Sequence, residues 1–214
     1  MAASCQAGVD GGLGGELSHP RGVGADPAGN VYVVDNQRIQ KFDSRNWERA
    51  WGKDVDTGGG TGFEICAVAA TCKFGTIGGL GGEFNSLSGV AADAAGNVYV
   101  VDVNNQRIQR FDSSGNFLRA WGRDVVTGGG TGFELCTVAA SCKQGAVGEL
   151  GGELNFPSGV AADATGNVYA ENFNQRVQKY PPQPSAPSAT CRASRRLWSG
   201  AMGPIRSLVP PEQT

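Results

Sequence analysis

One segment of this chain is written three times. Gly22 to Asp35 reads GVGADPAGNVYVVD, Gly89 to Asp102 reads GVAADAAGNVYVVD, and Gly159 to Tyr169 reads GVAADATGNVY, spaced 67 and 70 residues apart. Self-similarity of this kind outranks any local propensity, because each copy is one supersecondary unit that buries its apolar surface only against its neighbours. Every copy continues in the same order: NQRIQKFD from Asn36, NQRIQRFD from Asn105 and NQRVQKY from Asn174. WERAWGKDV from Trp47 and FLRAWGRDV from Phe117 follow in the first two copies, and the third lacks this last element.

Read for structure, the second copy predicts four short strands, Gly89 to Ala92, Val98 to Val101, Arg107 to Phe111 and Phe117 to Trp121. They are separated by DAAGN, DVNNQ and DSSGN, and such turn residues punctuate strands. Connections this short hold no crossover helix, so neighbouring strands run antiparallel as a four-stranded meander. The 34 glycines and the 18% charged residues fit short strands and tight turns. Ile108 and Phe111 lie three apart and face opposite sides of their strand, so both sheet faces need cover. Stacking between neighbouring blades supplies that cover; a β-bulge recurring in each copy is the competing explanation of the parity.

The pattern G-V-A-x-D-x-x-G-N-V-Y-V-x-D followed by N-x-R-I-Q-x-F resembles the NHL repeat over residues 22–52, 89–122 and 159–180. The resemblance is to NHL-repeat β-propellers, of a bacterial type with a Gly-rich, two-Cys insert between blades. It implies an all-β fold, a partial β-propeller of about three four-stranded antiparallel blades from a ring that in this family usually has six. The organisation expected is the end of an incomplete insert at 1–21, blades at 22–52 and 89–122, inserts at 53–88 and 123–158, an incomplete blade at 159–180 and a disordered tail at 181–214. Relative to Asp102–Asn105 the first copy lacks two residues after Asp35 and the third lacks one near Glu171, which predicts tighter hairpins there.

The insert also repeats, as TGGGTGFEICAVAATCKFGTIGGLGGEFN from Thr57 and TGGGTGFELCTVAASCKQGAVGELGGELN from Thr127. Each copy holds one C-x5-C pair, and bonds Cys66–Cys72 and Cys136–Cys142 are the simplest connectivity that treats both copies alike. Loops this small gain about 2 kcal/mol from closure, and such bonds point to an oxidising compartment. A zinc site needs four close ligands, and the chain's single histidine, His19, belongs to neither insert; reduced buried thiols are the other reading. Cys5 precedes Leu13 as Cys72 precedes Leu80, so it reads as the second cysteine of a truncated insert, and Cys191 lies in the tail.

Both ends of the chain read as cut through a blade or insert, which makes a fragment of a longer array the expectation. A homodimer that completes a ring is a further expectation, because two chains of about three blades each supply six. Residues 1–180 carry 14 basic and 19 acidic side chains, which argues against nucleic acid as a partner. No apolar run is long enough for membrane insertion, and the chain start lacks the marks of a signal peptide. An extracellular or cell-surface location is inferred from the cysteine pairs alone.

No catalytic apparatus is legible, and no cofactor or metal is expected. His19, with Leu87 and Phe156 taken as its counterparts, reads as a partly buried junction side chain. Asp26, Asp93 and Asp163 each open a D-x-x-G-N segment that suits a hairpin turn, with calcium as the alternative. Arg38, Arg107 and Arg176 recur after Asn-Gln; the resemblance implies a structural role within the blade, and a binding face is the second reading. The function expected is a non-catalytic binding or scaffold module that presents loops to protein, peptide or carbohydrate. A propeller hydrolase or lyase with its catalytic residues on other blades is the alternative.

Overall fold

The computed structural model describes residue 8, residues 10–182 and the backbone of residues 190–193. Three antiparallel sheets follow one another along the chain. The first contains β1 (Gly22–Ala25), β2 (Val31–Asp35), β3 (Arg38–Phe42), β4 (Trp47–Lys53) and β5 (Phe63–Cys66). The second contains β6 (Leu87–Ala92), β7 (Val98–Asp102), β8 (Arg107–Phe111), β9 (Phe117–Arg123) and β10 (Phe133–Cys136). The third contains β11 (Pro157–Ala162), β12 (Val168–Asn172), β13 (Arg176–Tyr180) and β14 (Thr190–Ala193). In each sheet the strands pair in chain order, as a meander.

The turns explain why the chain doubles back where it does. Between β1 and β2 the Asp26 amide bonds to the Asn30 carbonyl at 3.0 Å, and Gly29 takes φ +87°, a conformation that only glycine adopts without cost. Gly96 and Gly166 repeat this turn in the other two sheets, at φ +76° and +80°. Between β2 and β3 the whole loop is Asn36–Gln37, both at positive φ (41° and 62°), as a two-residue hairpin matched to strand twist requires. The shortened loop expected after Asp35 is therefore a tight hairpin, and the second sheet spans the same gap with residues 103–106.

Two expectations need correction. The first two blades have five strands, because the FEIC and FELC segments of the inserts pair with the outer edges of β4 and β9: Ile65 lies opposite Trp51, and Leu135 opposite Trp121. The third blade has its fourth strand, because β14, from the stretch expected to be a disordered tail, pairs with β13. An exposed strand edge offers unpaired backbone groups, and a short extended segment nearby satisfies them. Residues 183–189 and 194–214 of that tail lie outside the described residues, as does Cys5.

The sheets stack face on face. Tyr32, Val34, Ile39 and Trp51 of the first blade pack with Phe84, Leu87, Val90, Val98, Val100 and Phe111 on the near side of the second. On the far side Tyr99, Ile108 and Trp121 pack with Leu154, Val168, Ala170 and Tyr180 at the third blade. Ile108 and Phe111 thus point to opposite interfaces and are both fully buried. Bulges do recur, but they leave Glu48 and Leu118 unpaired on β4 and β9 and do not alter the parity of β8. The first strands lie side by side: a Cβ on Gly22 would come within 2.4 Å of the Ser88 carbonyl oxygen, and one on Gly24 within 2.7 Å of the Val90 oxygen. Among the described residues the stack is open, and no sheet joins the first blade to the third.

If stacking supplies the stability, Phe111→Ala should cost about 3–5 kcal/mol in urea unfolding, the usual range for emptying a buried aromatic site. The same change at Phe173, which is 78% exposed, should stay within about 0.5 kcal/mol.

Candidate functional site

At one corner of each blade, strands and insert meet in a buried polar cluster. In the second blade Asp102 ends β7, and Arg107 and Gln109 stand on β8. Arg107 Nε donates to Asp102 Oδ2 at 2.8 Å, and both side chains are fully buried. The rest of the guanidinium donates to backbone carbonyls of the inserts: Gly79 (2.6 Å), Leu80 (2.8 Å), Glu83 (2.8 Å) and Lys143 (3.0 Å). Gln109 donates to the Glu83 carbonyl (2.7 Å) and accepts from the Gly82 amide (2.8 Å). Asp102 accepts from the Asn85 amide (2.8 Å) and from Asn105 Nδ2 (2.9 Å). Complete burial pushes the Asp102 carboxyl up, and the Arg107 charge opposes that rise.

The first blade repeats the cluster. Arg38 pairs with Asp35 at 3.0 Å and donates to the carbonyls of Gly12, Glu16 and Lys73. Burial pulls the Arg38 guanidinium down from its ordinary range, against the pull of Asp35. A Gly-rich segment with no regular ladder exposes carbonyls that need donors, and a planar five-donor guanidinium serves several at once. Arg38 and Arg107 are therefore moulds for the inserts, and their complete burial corrects the binding-face reading. Arg176 reaches the equivalent carbonyls of Glu149, Leu150 and Glu153. Its acidic partner is replaced by Asn172, and Arg176 Nε and Asn172 Nδ2 are both buried without a hydrogen-bond partner among the described residues.

Both disulfides form, Cys66–Cys72 and Cys136–Cys142, with Cα separations of 5.7 and 5.6 Å. Their sulfurs are buried, beside Val55 in the first insert and Val125 in the second. Each closes a loop with a short 3₁₀ turn, Ala69–Thr71 or Ala139–Ser141. These turns clasp the segment that leads into the same blade: the Gly14 amide bonds to the Ala69 carbonyl, and the Gly81 amide to the Ala139 carbonyl, each at 2.9 Å. A Cβ on Gly81 would lie 2.6 Å from Ala139 Cα, so only glycine permits the approach.

What the clasp leaves outside is aliphatic. Leu13 and Val68 flank one bonded pair, Leu80 and Val138 the other, and they are 45%, 59%, 45% and 60% exposed. Ile77 and Val147 are exposed at another shared position of the inserts. Repetition at equivalent positions sets these residues apart from scattered surface apolar side chains. The sequence singled out the inserts but not these residues; the signal was present in the recurrence of Val after the first cysteine and of Leu in GGLGG and GELGG.

His19 is exposed with φ +56°, hydrogen-bonded to Ser18 Oγ at 3.0 Å, and its structural counterparts at positive φ are Ser86 and Phe156. This corrects both the expected burial and the pairing with Leu87, which follows Ser86 at the start of β6. A second feature went unseen: Gln37 accepts from the Ser86 amide (2.8 Å) and Gln106 from the Phe156 amide (2.7 Å), each bond crossing to the next blade. The Asp26, Asp93 and Asp163 carboxylates are occupied within their own turns. Asp93 accepts from the Ala95 and Asn97 amides, from Asn97 Nδ2 and from the Tyr99 hydroxyl at 2.8 Å. Burial raises the Asp93 carboxyl, and these donors override it, leaving it below the ordinary carboxylate range. Among the described residues no three His, Cys, Asp or Glu side chains are grouped to hold a metal ion.

Antiparallel meanders stacked face on face with their first strands adjoining are blades of a β-propeller. Residues 84–111, from the end of the first insert through β8, match the NHL repeat, so that stretch of the chain carries one. Over 46 residues it is 50% identical to the B-box type zinc finger protein ncl-1 of Caenorhabditis elegans, and over 51 residues 47% identical to the protein brain tumor of Drosophila melanogaster. Those stretches are 22% and 24% of this chain and 5% of each relative, so the chain spans a small part of both. Among solved structures, a streptogramin B lyase aligns with a TM-score of 0.39 and 10% identity, over 84% of this chain and 56% of that one.

Arg107→Ala should lower unfolding stability by about 3–5 kcal/mol, since it leaves Asp102 buried and unpaired. Asn172→Asp should raise it by about 1 kcal/mol, by giving Arg176 an acceptor. Urea midpoints measured at constant m-value check both.

Proposed function

We propose that this chain is a non-catalytic recognition module of a secreted or cell-surface protein, which binds protein or peptide segments through the aliphatic surface of its disulfide-pinned inserts. The observation that carries this reading is the pairing of exposed Leu13 with Val68 and Leu80 with Val138 around two equivalent clasps. A rigid loop with repeated apolar side chains binds at little ordering cost, and an exposed aliphatic patch suits an apolar peptide surface better than a polar sugar. The recurrent polar groups support the reading from the other direction: the Asp102–Arg107–Gln109 cluster holds the insert and faces no solvent. The two disulfides accord with an oxidising compartment. Among the described residues no helix is long and apolar enough to cross a membrane.

Peptide and glycan arrays probed with the intact protein and with a Leu80→Asp, Val138→Asp variant test the proposal. Selected peptides should bind the intact protein and lose about tenfold or more in affinity with the variant, whose thermal unfolding stays unchanged. Equal binding by the variant, or selective binding of glycans alone, would contradict it.

A further inference from the structure

The tight hairpin of the first blade leaves backbone groups open that the other blades close. Gln37 and Gln106 are counterparts, since each accepts an amide of the following blade, and Asn36 and Asn105 are counterparts, since their carbonyls accept the Gly75 and Gly145 amides. Val103 and Asn104 are therefore the two residues that the first blade lacks. In the second blade their amides donate to the Ser86 and Asn85 carbonyls, at 3.0 and 3.1 Å. In the third blade the Phe173 amide donates to the Asn155 carbonyl at 2.8 Å. The equivalent carbonyls of the first blade belong to His19 and Ser18, and no donor among the described residues reaches either.

Against this hairpin lies a cavity of about 110 Å³, lined by His19, Arg21, Asn36, Gln37 and, across the first seam, Ser86. Arg21 stands where the other two blades carry Ser88 and Ser158, one residue before the repeat glycine. It is exposed, and among the described residues no acceptor reaches its guanidinium. The Asp35 carboxylate borders the same space, but its oxygens are occupied: Oδ1 accepts the Ser18 amide at 2.7 Å, and Oδ2 accepts from Arg38 at 3.0 Å and Gln40 at 3.2 Å. Its charge is balanced within the buried cluster by Arg38. The cavity thus combines one uncompensated cation with a backbone carbonyl that lacks a donor.

We propose that this cavity binds the C-terminal residue of a peptide, with its carboxylate on the Arg21 guanidinium and its amide N–H on the His19 carbonyl. A lone guanidinium matches the single charge and planar fork of a carboxylate, whereas a doubly charged oxyanion calls for more cations than the lining holds. A chain end carries its carboxylate and its amide donor on the same carbon; Asp and Glu side chains hold theirs further apart. Capture of a terminal carboxylate is a recurring mode of peptide recognition. The site shares no residue with the two clasps, so it stands apart from the aliphatic surface of the inserts.

The test uses the isotope-labelled full chain and four probes: pools of N-acetylated tripeptides with free C-terminal carboxylates, the same pools amidated, acetate, and inorganic phosphate. NMR shifts of Asn36, Gln37 and Ser86 report occupancy of this cavity and not of the inserts, so the outcome is independent of whatever Leu80 and Val138 bind. The free-acid pools should shift these signals saturably, and amidation or Arg21→Gln should weaken binding about tenfold or more. Arg21 is exposed, so its substitution should leave thermal unfolding unchanged. Insertion of Val-Asn after Asp35, which rebuilds the longer hairpin of the second blade, should abolish the response. Amidated pools that bind as well as the acids, acetate or phosphate that binds as well as the peptides, or an Arg21→Gln chain that binds unchanged would overturn the proposal.

Discussion

Sheets with two apolar faces gain little by folding alone, and every blade here has two. Phe111 is buried against Trp51 of the preceding blade, with ring centroids 6.0 Å apart, while Ile108 on the same strand is buried toward the following one. Trp121 and Tyr180 repeat the first contact at the second seam, at 5.6 Å. The Tyr32–Trp51 and Tyr99–Trp121 pairs brace each forward face in nearly the same edge-on geometry, at 72° and 70°. Repetition of sequence therefore becomes repetition of interface, with stability depending on contacts between neighbouring units. The narrow inner edge follows from the same constraint, since Gly22 and Gly24 let the first strands approach more closely than any side chain would allow.

The inserts depend on a second device that rests on the first. Their glycines give the backbone freedom to cross the blade, and the same freedom leaves carbonyls without ladder partners. Arg38 and Arg107 gather those carbonyls, Asp35 and Asp102 hold the guanidiniums in place, and the disulfide loops close over the far side. Rigidity so produced means that the ordering cost of a Gly-rich connection is met during folding, as the recognition role proposed for the inserts requires.

Much of this was legible in the residues. The strands of the second blade fall within a residue or two of where turn chemistry placed them, the opposed burial of Ile108 and Phe111 followed from strand parity, and both cysteine pairs followed from the duplication of the insert. The role of the arginines was only half legible: NQR recurs visibly, but its partners are backbone carbonyls, which leave no mark in side-chain identity. β5 and β10 were hidden because four residues inside a Gly-rich segment carry too short a pattern to separate from a loop. β14 was hidden because TCRA shares with the Trp47 and Phe117 strands only an Arg-Ala pair, in a different register, and lacks the tryptophan that follows it there. The correspondence of His19 with Ser86 and Phe156 is present in the spacing, since each stands three residues before the repeat glycine at Gly22, Gly89 or Gly159, and all three take positive φ.

Stacking makes a prediction about where the backbone opens last. The middle blade has both faces covered, and each outer blade has one. Native-state hydrogen exchange followed by mass spectrometry should therefore find the amides of β7 and β8 the slowest to exchange, ahead of those of β2, β3, β12 and β13. Equal protection of all three blades, or an outer blade that outlasts the middle one, would contradict the dependence of each sheet on its neighbours.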